Sequence, residues 1–164
     1  MENVVDLEIF TTGGTIDKVY FDALSEFQVG DSGIGNMLAE ANINANYEIT
    51  PLMKKDSLEL TDEDRDIIYK AIQNSKARHV LVTHGTDTMT ETARHVMSIK
   101  EKTIVFTGSM LPASHRATDA VFNVGFAIAA VQLLPSGTYL AMNGQIFDPV
   151  NVQKDRAAAL FKTI

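Results

Sequence analysis

The sequence predicts an α/β fold, a mostly parallel sheet with helices on both faces, of the flavodoxin or Rossmann kind. Short apolar runs alternate with helical patterns along the whole chain. Three of the runs have the compact apolar character of strands buried on both faces. The segments between them are long enough for helical crossovers, which keeps successive strands parallel. At 164 residues, with no repeat, low-complexity stretch or linker, the expectation is one domain over 1–164 with a single core.

The elements follow in order. "LEIFTT" (7–12) reads as the first strand, and "SGIGNMLAEANI" (32–43) as a helix. "YEITPLM" (47–53) is a weaker strand, and Pro51, which cannot donate to a ladder, places it at an edge. "TDEDRDIIYKAIQNS" (61–75) is the clearest helix. Thr61 is its N-cap, and Asp62, Glu63 and Asp64 lie where the macrodipole favours anions. "HVLVTH" (79–84), "TIVFTG" (103–108) and "TYLAMN" (138–143) are the buried strands. Helices are expected over Met89–Ile99 and Ala117–Leu134, the second closed by Pro135, Ser136 and Gly137.

Composition removes several function classes. A net charge of -7 without a basic stripe excludes a nucleic-acid surface and favours proteins or small polar molecules as partners. With no cysteine, disulfides, iron–sulfur clusters and thiolate zinc sites are out. "MENVVDLEIF" has two acids in its first six residues and no basic n-region, and no apolar run approaches a membrane span. A cytoplasmic protein is expected. The histidines at 79, 84, 95 and 115 have no metal-ligand spacing, and only His84, at a strand end, is near a candidate site.

Ligands of such a fold bind beyond the carboxyl ends of the strands. Small polar clusters fall there after every strand: "TTGGT", "KKDS", "HGTDT", "TGSM" and "MNG". Five such placements exceed chance, and they predict one shared crevice. Gly13 and Gly14 let the backbone approach a ligand, although the dinucleotide and P-loop fingerprints are both missing. Thr15 then stands exposed. A threonine hydroxyl is a weak nucleophile and needs a base or relay. A Thr86–Lys154–Asp87 chain of hydrogen bonds would supply one, with Asp87 holding the ammonium or binding a substrate amine. Read locally, Thr86 and Asp87 instead cap the helix at Met89, with Thr88 and Thr90 as further caps, and Lys154 is a surface lysine. The acids at 62–66 read as a solvated helix start.

"TTGGTID" (11–17), "HGTDTMTET" (84–92), "TGSMLP" and "MNG…VQK" together resemble the bacterial-type L-asparaginase family, the threonine-nucleophile amidohydrolases. The resemblance runs from Leu7 to Ala159 and covers the family's N-terminal domain. It implies that L-asparagine is hydrolysed to aspartate and ammonia through an acyl-enzyme, without metal or cofactor. It implies that Thr15 is the nucleophile and that Thr86, Asp87 and Lys154 are the second threonine, the amine-holding aspartate and the relay lysine. Asp56 and Ser57 match the loop that receives the α-carboxylate and amine. Gly14 and Gly85 lie beside the oxyanion donors. A homo-oligomer is implied as well.

Two departures stand out. The family's tyrosine beside the nucleophile is replaced by Phe27, and Tyr20 on the same loop is the candidate to substitute for it. The family's smaller C-terminal domain has no counterpart here. A short-chain form is therefore expected, with an open pocket and a high KM. An amino-acid-binding or sensor module, or an amidase acting on another amide, are the alternatives.

Overall fold

The computed structural model describes residues 6–164, and the N-terminal reading above falls largely on 1–5, outside them. In chain order come β1 (Asp6–Gly13), β2 (Lys18–Phe21), β3 (Glu26–Val29), α1 (Ile34–Glu40), β4 (Asn46–Lys55) and α2 (Asp62–Asn74). Then follow β5 (His79–Thr83), α3 (Met89–His95), β6 (Thr103–Thr107), α4 (Ala120–Leu133) and β7 (Gly137–Met142). The chain ends with β8 (Gln145–Phe147), β9 (Val152–Asp155) and β10 (Leu160–Thr163).

The main sheet has the order β4-β1-β5-β6-β7-β8. Its first five strands are parallel and β8 is antiparallel to β7. The expected α/β fold is present, and the strand with Pro51 lies at an edge. Counting only the parallel strands, the order is that of flavodoxin-like sheets, whose direction reverses beside β1. The crevice expected there is formed by the loops after β1 and β5.

Side-chain alternation splits the core between the two faces of the sheet. Val80 and Val82 of β5, with Ile104 and Phe106 of β6, pack toward Ile68 and Ile72 of α2 and Met89 and Ala93 of α3. Leu81 and Val105 point the other way, against Leu38 of α1 and Val124 and Val131 of α4. Each such fully buried side chain contributes about 1.5–3 kcal/mol, so these strands anchor everything built on their ends. No helix among the described residues is long and apolar enough to cross a membrane.

Several expectations need correction. The helix expected over 32–43 forms only from Ile34 to Glu40, because the chain then turns through Asn42 at φ 51°. The one expected to Ile99 stops at His95. The helix expected from Ala117 begins at Ala120, since the Asp119 carboxylate is occupied by the N–H groups of Met110 and Leu111. "MNG" is not a site loop. Asn143 and Gly144 both have positive φ, and they form the two-residue turn that reverses β7 into β8. Asn-Gly is the strongest short hairpin signal, so β8 was readable from the sequence.

The acidic helix start is only partly solvated. Asp64 is buried, completes a capping box with Thr61, and accepts hydrogen bonds from Lys55 Nζ on both carboxylate oxygens at 2.8 Å. Two hairpins, β2–β3 and β9–β10, stand outside the main sheet, and both flank the crevice.

Candidate active site

Three loops meet at the carboxyl end of the sheet. Gly14, at φ 86°, lies so close to Gly85 that a Cβ there would collide with the Gly85 Cα and N. A Cβ on Gly85 would in turn fall 2.6 Å from Ser57 Oγ. These glycines are thus required by close approach of backbones, and any side chain would push the loops apart. Hydroxyls tie the same loops: Thr12 Oγ1 donates to the Thr83 carbonyl at 2.8 Å, and Thr88 Oγ1 donates to the Ser57 carbonyl at 2.7 Å. Thr88 sits at the cap position of α3 but makes no cap bond, and Thr90 lies inside the helix. The capping role expected of these threonines is therefore corrected: Thr88 binds one site loop to another.

Thr15 and Thr86 each follow one of the touching glycines. Thr15 opens a short 3-10 turn, half-buried, and Thr86 is buried. From β9, Lys154 Nζ donates to Thr86 Oγ1 at 2.7 Å and to Asp87 Oδ1 at 2.8 Å. Sequence separations of 68 and 67 residues give that lysine no standing over any other. Neither Thr86 nor Asp87 caps α3, because both are occupied by Lys154. Of the two uses open to Asp87, this geometry provides the first, holding the lysine ammonium.

Asp56 pairs with Lys18 at 3.0 Å and accepts from the Leu58 N–H at 3.1 Å. Partial burial pushes its carboxyl upward, but Leu58, Lys18 and the more distant Lys154 outweigh this and hold it below the usual range. Sequence reasoning missed Lys18, which no spacing signalled. It also missed Arg156, whose Nε lies 3.4 Å from Asp87 Oδ1. Arg156 lies just past the end of β9, in the turn to β10, and no spacing signalled it either.

His84 supports the floor. It is fully buried between the Gly85 carbonyl, 2.7 Å from Nδ1, and Thr92 Oγ1, 2.8 Å from Nε2. A carbonyl only accepts, so Nδ1 carries the proton and the Thr92 hydroxyl donates to Nε2. Burial pushes the ring down to about 4 and keeps it neutral, against a smaller upward pull from the Gly85 carbonyl. His84 is a structural strut below Thr86, with no free nitrogen for catalysis.

Tyr20 and Phe27 face each other across β2–β3, their ring centroids 5.4 Å apart. The loop expected to carry them is thus a hairpin. Phe27 also meets His115 edge-on at 5.3 Å. At the opposite end of the sheet lies a hollow of about 940 Å³ lined by Asp6, Glu8, Asn46, Tyr47, Lys76 and Arg78. Its residues come from strand starts and a surface turn. Volume alone would select that end, whereas convergence of hydroxyls, lysine and carboxylates selects the other.

A family profile described as "Asparaginase, N-terminal" matches residues 6–162. The chain belongs to the asparaginase family. Among curated relatives, the probable periplasmic L-asparaginase of Haemophilus influenzae is 30% identical over 94% of this chain and 48% of its own length. The glutaminase-asparaginase of Pseudomonas fluorescens biotype A is 28% identical over 94% of this chain and 46% of its own. The thermostable L-asparaginase from Thermococcus kodakarensis superposes with a TM-score of 0.85 at 25% identity, covering 98% of this chain and 51% of that one. This asparaginase-family chain spans about half the length of the asparaginases it matches.

Proposed function

We propose that the chain hydrolyses a primary carboxamide, with L-asparagine the leading substrate, through an acyl-enzyme on Thr15. The observation that carries this is the Lys154 bridge to Thr86 and Asp87 beside the Gly14–Gly85 contact. Thr15 Oγ1 attacks the amide carbon, and its proton passes by way of Thr86 to the leaving nitrogen. The C–N bond breaks, ammonia departs, and water cleaves the threonine ester to release the acid. The Lys154 ammonium stabilises negative charge developing on Thr86 Oγ1, while Asp87 balances the lysine. Backbone N–H groups beside Thr15 and Thr86 receive the oxyanion.

Ser57 and Asp56, on the loop packed under Gly85, receive the α-substituents of the substrate. Glutamine is the poorer substrate in this reading; one methylene alone is worth only ~1–3 kcal/mol, so pocket geometry must supply the rest. Tyr20 supplies the hydroxyl that Phe27 lacks. A homo-oligomer belongs to the same reading, supported by the exposed Val121, Phe122 and Leu133 on the outer side of α4. Ammonia release from asparagine, lost in Thr15→Ala, tests the proposal. Release by Thr15→Ala at the wild-type rate would remove Thr15 as nucleophile.

Phe27 favours one second reading, a binding or sensor module. Thermal stabilisation by asparagine with no ammonia formed would decide for it.

A further inference from the structure

Four cations stand together at the amino ends of the strands, with little to answer their charge. A second hollow of about 680 Å³ lies there and shares Lys76 and Arg78 with the larger one. Lys76 and Arg78 come from the turn before β5, Lys100 and Lys102 from the turn before β6, and Ser136 from the turn before β7. The three turns are tied together. The Thr103 N–H donates to the Arg78 carbonyl and the Gly137 N–H to the Lys102 carbonyl, both at 2.9 Å. Every ion pair among the described residues lies elsewhere. Glu101 is the one carboxylate lining this hollow, in a chain with 21 acids against 14 Lys and Arg.

Helices of this fold end where the strands begin, and cations there commonly serve the carbonyls of helix C-termini. Lys102 has such a use. Its Nζ donates to the Ser75 and Ala77 carbonyls just beyond α2, both at 2.7 Å. Burial pushes this ammonium down, against a smaller upward pull from Glu8, whose own carboxylate accepts from Thr50 Oγ1 at 2.8 Å. Lys76, Arg78 and Lys100 are exposed, and no such bonds hold them among the described residues. Nor do they belong to the last turn of α2 or α4, where no basic residue lies. Carbonyl capping therefore accounts for one cation and leaves three.

The polar groups on this hollow are nearly all donors: the three ammoniums, the Arg78 guanidinium, the Ser136 hydroxyl and the Gln73 amide. Four cations less Glu101 leave three positive charges. A monoanion would leave most of that charge and most of those donors unused, whereas a chain of phosphates offers oxygens to all three turns. The volume is that of a small-molecule site. We propose that this hollow binds a multiply charged phosphate compound, an inorganic polyphosphate or the phosphate chain of a nucleotide, through Lys76, Arg78 and Lys100. The hollow and the crevice occupy opposite ends of the sheet, so this site stands whether or not the amide-hydrolysis reading does.

Calorimetric titration of the chain with inorganic triphosphate, phosphate and citrate tests the site without turnover. Triphosphate should bind once per chain and at least about tenfold more tightly than phosphate or citrate. Arg78→Glu and Lys100→Glu, both at exposed positions, should each weaken triphosphate about tenfold. Arg116→Glu makes the same change of charge at an exposed arginine before α4, and should leave binding within about twofold. Equal weakening by Arg116→Glu would show attraction to net charge alone and overturn the proposal. So would citrate binding as tightly as triphosphate, or no triphosphate binding at about 1 mM. A comparison with ATP separates the two sources. ATP binding at least about tenfold more tightly than triphosphate assigns the site to nucleotides, and equal binding assigns it to the phosphate chain alone.

Discussion

The two hairpins that flank the crevice are built from the same material and held in opposite ways. β9–β10 is locked to the core: Val152 and Phe161 are buried, Phe161 packs against Phe147, and the Phe161 N–H donates to Asn143 Oδ1 at 2.9 Å. Phe161 is also the register partner of Lys154. The buried Phe161 ring stands beside the lysine on the same face of the hairpin and thus fixes it. β2–β3 carries more large apolar side chains, but Val19, Tyr20, Phe21 and Phe27 are all exposed. It is held at its base, by the Gly30 N–H donating to the Asp17 carbonyl at 2.9 Å and the Ala113 N–H donating to the Ile16 carbonyl at 3.0 Å. Farther out, Ser114 Oγ donates to the Lys18 carbonyl at 3.3 Å, and Phe27 touches His115. The difference teaches where precision is needed. In the proposed reaction Lys154 must hold hydrogen-bond distances to Thr86 and Asp87, whereas nothing in it demands the same precision of β2–β3.

The largest expected effect comes from cutting the locked arm's contribution. Lys154→Met should lower ammonia release by about two to three orders of magnitude, on the scale of a positioned proton-transfer group. It leaves Thr86 without its donor, and steady-state kinetics on folded protein would show the loss in kcat. A loss under about fivefold would mean that the bridge is structural. Phe161→Ala comes next, with a stability loss of about 3–5 kcal/mol in denaturant melts and reduced activity as Lys154 loosens.

Asp17 tests the base of the loose arm. Burial pushes its carboxyl up to about 6, against a smaller downward pull from the Ser32 hydroxyl. That lies above the ordinary aspartate value of 3.8, so the folded state holds the proton more tightly than the unfolded chain does. Stability from this group is greatest at low pH and falls as pH rises through about 6. Asp17→Asn should therefore stabilise the protein by roughly 2 kcal/mol at about pH 8, with the gain vanishing toward about pH 4. An equal effect at both pH values would rule out titration as the cause. His84 has the opposite sign. Its neutral form is favoured by the fold, so its contribution is lost as pH falls from 6.5 toward about 4.

Smaller effects separate the two aromatics of β2–β3. Tyr20→Phe should lower turnover about tenfold if its hydroxyl serves Thr15, and unchanged turnover would remove it from the mechanism. Phe27→Ala should shift stability by less than about 1 kcal/mol, in contrast to Phe161→Ala, because its ring is already half in water. A loss as large as that of Phe161→Ala would erase the distinction between the arms.

The strand runs, the edge position signalled by Pro51 and the Thr61 cap were legible because each depends on residues near in sequence. So were "TTGGTID" and "HGTDT", whose residues sit on the ends of adjacent strands. Asn143–Gly144 is legible as a hairpin turn and equally as site chemistry, since small polar residues serve both purposes. The hairpin β2–β3 was hidden because its apolar residues pack against no core and leave no burial pattern to read.

The sequence by itself determined the alternation of strand and helix, and with it the crevice at the carboxyl ends of the strands. It also determined which hydroxyls and carboxylates stand there. Only the tertiary structure decided what those groups do. Whether Thr86 and Asp87 cap a helix or hold a lysine depends on a side chain 68 and 67 residues away. Which cations stand around Asp87 depends on β9 and the turn beyond it, which bring Lys154 and Arg156 to its Oδ1. Hydrogen bonds and charges act over a few ångströms of space, and no separation along the chain encodes that distance.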